Sequence, residues 1–149
     1  MFKFKIYILM NARNFQQEGT MDFLQPPGWK RAKGYSNGIK ASGEVIFCAG
    51  MVGWNEDEVF ETDDFAGQCR QIFKNIVAVL EEGGAGPEHI VRMTWYIGDK
   101  KEYLGAQKEI GEAYREIIGR NWPVMAVIQV SGFIEDGAKL EIEATAVLP

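Results

Sequence analysis

The most regular pattern of hydrophobic and polar positions lies near the end of the sequence. From residue 140 to residue 147 apolar and polar side chains alternate, which is typical of a β-strand with one face against a core. The apolar positions are Leu140, Ile142, Ala144 and Ala146, and the polar ones are Glu141, Glu143 and Thr145. Residues 124–130 are apolar at nearly every position, which is typical of a strand covered on both faces. The pattern predicts that these two strands face each other, with Met125 and Glu141 together on the face away from the helices.

Another pair of strands is predicted upstream. Residues 39–41 and 44–50 flank Ser42-Gly43, which is a two-residue turn signal, and the three segments together predict a hairpin. The second of these strands is apolar at consecutive positions and is therefore also expected to be covered on both faces. Gly50 ends it at a point where another group can approach the backbone closely.

Two helices are predicted from apolar residues spaced three and four apart. The first carries Phe65, Cys69, Ile72, Phe73, Ile76, Val79 and Leu80, begins after the N-cap types Thr62, Asp63 and Asp64, and ends at Gly83-Gly84. The second runs from about residue 101 to residue 118, with Gly119 as its C-terminal cap. A strand at residues 91–97 separates them, so the predicted order is β-β-α-β-α-β-β.

This order predicts an α+β fold with both helices packed on one face of a mixed sheet. Each strand-helix-strand crossover is expected to be right-handed, which places the two helices on the same side. The other face then has no cover within the chain, although Val45 or Ile46, Met93 or Thr94, and Met125 or Val127 would make it apolar. We therefore expect a homo-oligomer whose sheets pack together.

Composition limits the domain organisation and the partners. With 149 residues and 46% hydrophobic content, the chain is expected to form one domain over residues 21–149. Residues 1–20 are predicted to be an N-terminal extension, with Met21 as a candidate natural start. A net charge of −5 argues against nucleic-acid binding, and no segment has the apolar length of a membrane span.

Cysteine and histidine usage argues against a metal or another cofactor. The single histidine, His89, is expected to be a turn residue, because no acid or nucleophile stands at a recognisable spacing from it. Cys48 and Cys69 both lie in apolar patterns and are predicted to be reduced core residues of a cytoplasmic protein. No cofactor is therefore predicted.

Several short motifs, in this order along the chain, resemble the RidA/YjgF family of reactive-intermediate imine deaminases. They are Tyr35-Ser36-Asn37-Gly38, Cys48-Ala49-Gly50, Gly83-Gly84 followed by Ile90-Val91-Arg92, Trp122-Pro123, and residues 140–147. The resemblance runs from Leu24 to Val147. It implies a chorismate-mutase-like fold and a homotrimer with a central barrel and clefts between subunits. The family is also labelled endoribonuclease, an activity that would need a basic groove and that the negative net charge does not favour.

Family members that act as deaminases hydrolyse enamines or imines such as 2-aminoacrylate to 2-keto acids and ammonia. They hold the substrate carboxylate with an arginine two residues after a proline, and that position here is Met125. The departure predicts a cleft for a small, mostly apolar or weakly polar metabolite, in which any reaction is hydrolytic and efficient deamination of carboxylate-bearing imines is not expected. Two alternatives stay open, namely a deaminase that recruits Arg31 or Arg120, and a noncatalytic ligand-binding or protein-stabilising trimer.

The resemblance also implies the site residues. Glu141 matches the family glutamate that positions or deprotonates the attacking water, and Tyr35 matches a tyrosine that lines the cleft. Ala49 and Gly50 match a strand end that offers backbone groups to ligand, while Trp122 and Met125 are expected to shape the pocket. Each has a structural alternative: Glu141 as an interface carboxylate, Tyr35 as a packed aromatic and Gly50 as a bulge. Trp54, Trp95 and Trp122 are candidates for a stacking surface, with core or interface packing as the alternative.

Overall fold

A computed structural model describes residues 20–149, so the predicted N-terminal extension, apart from Thr20, lies outside the described residues. The strands are β1 (Met21–Leu24), β2 (Gly38–Ala41), β3 (Glu44–Val52), β4 (Ile90–Ile97), β5 (Val124–Gln129) and β6 (Leu140–Leu148). The helices are α1 (Phe65–Glu82), α2 (Lys100–Gly105) and α3 (Gln107–Ile117), and a 3-10 turn spans Pro87–His89. The predicted mixed α+β class is confirmed, with β1 as an additional strand.

The main sheet has four strands in the order β3-β6-β4-β5. The β4–β5 pair is parallel, while β6 is antiparallel to both β3 and β4, so the sheet is mixed. The prediction that β5 and β6 face each other is wrong, because β4 lies between them. β4 is the most buried strand and occupies a central position, and the α2–α3 crossover brings β5 alongside it in parallel.

The predicted hairpin is also wrong. β2 pairs with β1 in a separate two-stranded ribbon, whereas β3 joins the main sheet beside β6. The chain leaves the ribbon at Gly43, which has a φ of 146° and lies against the end of β6. A Cβ at Gly43 would be 2.1 Å from the carbonyl oxygen of Leu148, so only glycine fits this crossing.

The core lies between the three helices and one face of the main sheet. Its fully buried side chains include Ile72, Phe73 and Ile76 of α1, Met93 of β4, and Leu140 and Ile142 of β6. The single predicted helix at residues 101–118 is divided into α2 and α3 at Ala106, where the backbone departs from helical geometry. Asp64 and Asp99 cap α1 and α2 through their carboxylates, as their residue types favour.

The opposite face of the main sheet, called here the open face, carries no helix. Val45, Phe47 and Ile128 stand on it with 51%, 77% and 47% of their surface exposed. The expected apolar surface is therefore present, although Met93 and Met125 lie on the helix face instead. Within residues 20–149 no helix combines the length and the hydropathy that crossing a membrane requires.

Candidate functional site

A cavity of about 660 Å³ opens between the end of β1, the loop at residues 25–37 and the segment that precedes β5. Its walls include two arginines and four aromatic side chains: Arg31, Arg120, Phe23, Trp29, Tyr35 and Trp122. We call it the arginine cavity. It brings together two of the predicted site residues, Tyr35 and Trp122, with both arginines that the sequence offered as alternatives to Met125.

Hydrogen bonds across a long sequence separation hold Tyr35 beside Trp122. The backbone N–H of Ser36 donates to the carbonyl oxygen of Pro123 at 3.1 Å, and the Ser36 hydroxyl donates to the carbonyl oxygen of Trp122. At the base of the loop, the side-chain amide of Asn37 donates to Oε1 of Gln25 at 2.8 Å. Hydrogen bonds within the chain therefore join the loop to the segment before β5.

Trp122 is held on its other side by aromatic stacking. Its ring lies 5.3 Å from that of Tyr114 with an interplanar angle of 5°, and the Tyr114 hydroxyl donates to the carbonyl oxygen of Asn121 at 2.6 Å. The Asn121 amide in turn donates to the carbonyl oxygens of Pro87 and Ile90. Burial raises the pKa of the Tyr114 phenol, so it remains a neutral donor. These contacts give the cavity one rigid wall.

The two guanidinium groups give the cavity its charge. Arg31 comes from the loop after β1, and Arg120 follows Gly119, whose φ of 85° ends the last helical turn. Among residues 20–149, no carboxylate lies within 4 Å of either guanidinium. An arginine without an acidic partner on a concave surface is available to bind an anion. Both arginines are also exposed to solvent, as is usual for surface arginines, and both line the wall of this cavity.

A second group of predicted site residues lies on the main sheet. The register between β3 and β6 shifts after Cys48 and resumes at Met51, so Ala49 and Gly50 form a β-bulge, and the bulge reading of Gly50 is confirmed. The Glu141 carboxylate lies directly over this bulge, because a Cβ on Gly50 would be 1.9 Å from its Oε1. Glu141 is half-buried, and its register partner on the neighbouring strand β4 is Tyr96.

The open face around Glu141 is polar. The Tyr96 hydroxyl donates to Oε1 of Glu143 at 2.8 Å, and this hydrogen bond raises the pKa of the tyrosine. Arg92 lies on the same face, and its positive charge acts to lower the pKa of the Tyr96 phenol. A small cavity of about 360 Å³ on this face contacts Phe47, Arg92 and Glu143. Glu141 therefore lies at the edge of a surface that combines charge with exposed apolar side chains.

The two groups are separate within one chain. Tyr96 of β4 pairs with Glu141 of β6 on one side and with Ile128 of β5 on the other. Glu141 is therefore level with Ile128, two strand spacings away, and Val124 lies four residues further along β5. With a rise of about 3.3 Å per residue and about 4.8 Å between strands, the two backbone positions lie about 16 Å apart. Trp122 is two residues further away. A small ligand in the arginine cavity cannot contact Glu141 of the same chain.

Comparisons with known proteins identify the family. A family model described as Endoribonuclease L-PSP matches residues 28–148, which is most of the chain. The chain belongs to the RidA/YjgF family. A RutC family protein of Pyrococcus abyssi is 32% identical over 113 residues, covering 75% of this chain and 84% of the relative. A RutC family protein of Aquifex aeolicus is 38% identical over 82 residues, which span 55% of this chain and 62% of that relative.

Solved structures agree with this family and with the fold. A Yersinia pestis member of the Rid family, YyfB, described as a protein of unknown function, superimposes with a TM-score of 0.76 at 25% identity. That match covers 86% of this chain and 98% of the other. A YjgF/YER057c/UK114 family member from Mycobacterium tuberculosis is 30% identical with a TM-score of 0.57, covering 77% and 87% of the two chains. The resemblance stated from the sequence motifs is confirmed.

Met125 does not share a face with Glu141, contrary to the prediction. Its register partner is Met93, and it packs against the core on the helix face. β5 is almost wholly apolar, so its sequence has no alternation that shows which side chains face the core. That assignment depends on the register with β4. Met125 lines a crevice of about 170 Å³ with Tyr103, Tyr114 and Trp122, next to the arginine cavity.

The remaining candidates have structural roles. Nδ1 of His89 accepts a hydrogen bond from the Gly86 backbone at 2.9 Å, which confirms it as a turn histidine. Trp95 is buried in the core against Phe73, and Trp54 packs against Phe60. Of the three tryptophans offered as a stacking surface, only Trp122 lines the arginine cavity. Trp29 was missed, and the available signal was its position beside basic residues in Trp29-Lys30-Arg31.

Proposed function

We propose that this RidA/YjgF family member is a homotrimeric hydrolase that deaminates a small imine or enamine bearing a carboxylate. The observation that carries the proposal is the arginine cavity, where Arg31 and Arg120 stand with Tyr35 and Trp122 and without an acidic partner in the described part of the chain. A planar guanidinium binds a carboxylate through two parallel charge-assisted hydrogen bonds. This favours the alternative in which another arginine replaces the one missing at Met125, over a cleft for an apolar ligand.

The proposed active site is shared between neighbouring subunits. The predicted residues divide into the arginine cavity and the Glu141–Gly50 group, and Val124, two residues from Trp122 of the cavity, already lies about 16 Å from Glu141 by strand geometry. In a cyclic trimer each subunit presents one surface to the next, so the arginine cavity of one can face Glu141 of its neighbour at three equivalent clefts. The exposed apolar side chains Val45 and Phe47 beside Arg92 on the open face suit the packing that such a trimer requires.

In this site the arginines bind the carboxylate and Glu141 activates water. Glu141 takes a proton as the water oxygen bonds to the imine carbon, and that proton passes to the nitrogen to give a carbinolamine. Glu141 then moves the hydroxyl proton to the amine, which makes ammonia the leaving group. Cleavage of the C–N bond releases ammonia and leaves a 2-keto acid, so one water is consumed for each imine. Gly50 lets the carboxylate lie close to the backbone of the bulge. The reaction needs no redox change.

The test is steady-state hydrolysis of freshly generated 2-iminopropanoate by wild type, Glu141→Gln, Arg31→Gln and Arg120→Gln. We expect wild-type activity, a loss of about a hundredfold or more in Glu141→Gln, and a raised KM in both arginine variants. Arg70→Gln is the matched control, because Arg70 pairs with Glu116 at 2.7 Å outside the cavity. A wild type that binds keto acids without turning over any imine would instead identify a noncatalytic binding protein.

A further inference from the structure

The arginine cavity contains more positive charge than one carboxylate needs. A bidentate carboxylate satisfies one guanidinium, whereas Arg31 and Arg120 both line this cavity, and residues 20–149 place no acidic group within 4 Å of either one. Both side chains are exposed in the single chain, and a neighbouring subunit that covered the cavity, as proposed above, would partly remove these two like charges from water, where they destabilise each other. A second negative group on the ligand would remove this repulsion.

The two arginines reach the cavity from different walls. Arg31 belongs to the loop that follows β1, while Arg120 belongs to the turn after α3, and the Ser36 hydrogen bonds to residues 122 and 123 join these walls. Because the loop and the turn are joined in this way, the fold sets the separation between the backbone positions that carry the two charges. Such an arrangement distinguishes ligands by the spacing of their anionic groups.

The size and the lining of the cavity are consistent with a longer ligand. A volume of about 660 Å³ lies within the range of about 300–1,000 Å³ that holds drug-sized molecules, and a three-carbon imino acid would leave most of it empty. Trp29, Tyr35 and Trp122 supply apolar surface between the charged groups. A carbon chain with a carboxylate at each end would contact both the guanidinium groups and these rings.

We infer, on the basis of the proposed function, that the substrate is an imino dicarboxylate, with one carboxylate bound by Arg31 and the other by Arg120. Water adds to its C=N bond as described above, and the products are ammonia and a 2-keto dicarboxylate. Both carboxylates pass through the reaction unchanged, and both guanidinium groups stay charged.

The test compares imines generated from aspartate or glutamate with 2-iminopropanoate and 2-iminobutanoate. We expect wild type to favour the dicarboxylate imines in kcat/KM by about tenfold to a hundredfold, the range that one charge-assisted interaction supplies. Arg31→Gln and Arg120→Gln should each lose that preference, because the one guanidinium that remains binds only one carboxylate, while each still turns over 2-iminopropanoate with a raised KM. Arg70→Gln, outside the cavity, should keep the preference.

The inference would be overturned if wild type showed equal kcat/KM for the dicarboxylate and the monocarboxylate imines. Each arginine variant would in that case impair both classes to the same extent. Both arginines would then hold a single carboxylate, and the proposed deaminase function would stand. If wild type hydrolyses neither class, the proposed function fails, and calorimetry with 2-oxoglutarate and 2-oxobutanoate tests the ligand class alone. Tighter binding of 2-oxoglutarate, lost in each arginine variant, supports the dicarboxylate, and equal or undetectable binding of the two contradicts it.

Discussion

The carboxylate of Glu141 lies so close to the backbone of Gly50 that a Cβ on the glycine would be 1.9 Å from Oε1 and 2.8 Å from the carboxyl carbon. No side chain fits this gap without moving one of the two residues. Because Gly50 belongs to the β-bulge that interrupts β3, the bulge and the carboxylate form one structural unit. The position of Glu141 therefore depends on a glycine that makes no chemical contribution of its own.

Gly50→Ala should displace Glu141 and lower activity as strongly as Glu141→Gln does, by about a hundredfold or more. The effect should appear in kcat on 2-iminopropanoate. The melting temperature should change only slightly, because the strand end can shift locally. Gly132→Ala is the control, since a Cβ at Gly132 meets nothing within 4 Å and its φ is not positive. Full activity in Gly50→Ala would show that the carboxylate can act from another position.

The open face is expected to be the trimer interface, and Phe47 is its most exposed large side chain, at 77%. Phe47→Glu should place a charge among the packed sheets and dissociate the assembly to the 16.8 kDa monomer. Light scattering measures this directly, and imine hydrolysis should disappear at the same time. Leu104→Glu, on α2 with 56% exposure, should leave both properties unchanged. A monomeric wild type would remove the shared cleft altogether.

Gln68 should be important for stability although it lies outside the site. Its fully buried amide donates to the carbonyl oxygens of Thr62 and Gly137, at 3.0 and 2.9 Å, and accepts from the Lys139 backbone at 2.9 Å. Gln68→Met keeps the volume but removes the side-chain partner of three partly buried backbone hydrogen bonds, and we expect a loss of about 2–4 kcal/mol in the free energy of unfolding. Urea denaturation measures it, with exposed Gln107→Met as the control, for which a change below about 0.5 kcal/mol is expected. Equal stability losses in both variants would contradict this role.

Asp99 gives the stability a dependence on acidic pH. Its carboxylate caps α2 by accepting from the backbone N–H groups of Glu102 and Lys101, and these bonds lower its pKa below the ordinary 3.8. The Asp99 carboxylate binds a proton more readily in the unfolded chain than in the folded one. Its stabilisation of the fold is therefore present above the ordinary pKa and is lost as pH falls through the pKa of the folded state. The melting temperature of wild type should exceed that of Asp99→Asn at pH 7, and the difference should shrink toward pH 3. Asp136→Asn, in an exposed loop, should have the melting temperature of wild type at both pH values. A difference between wild type and Asp99→Asn that persists at pH 3 would refute the charge-based account.

The sequence predicted the elements better than their arrangement. Apolar spacing in α1 and alternation in β6 are local signals, and both elements formed where these signals placed them. The pairing of β2 with β1, and the face occupied by Met125, depend on contacts between distant segments. An apolar strand such as β5 has no alternation to record its orientation, which is why the face of Met125 was predicted wrongly.

The arginine cavity was the least predictable part. Arg31 and Arg120 reach it only because Ser36 fixes the loop to Trp122 and Pro123, across 86 residues in the case of its hydroxyl bond. A serine in a loop carries no signal of such a distant partner. Motif resemblance did identify Tyr35 and Trp122, which are the two predicted site residues that share this cavity.

The most direct test of the account is complementation between two inactive variants. Glu141→Gln keeps the arginine cavity, and an Arg31→Gln/Arg120→Gln double variant keeps Glu141. Unfolded together and refolded as mixed trimers, they should regain activity, because about a quarter of the clefts in a random equal mixture would combine two intact halves. Each variant refolded alone should stay inactive. Activity that stays at the level of the separate variants, in trimers shown by mass to be mixed, would contradict a site shared between subunits.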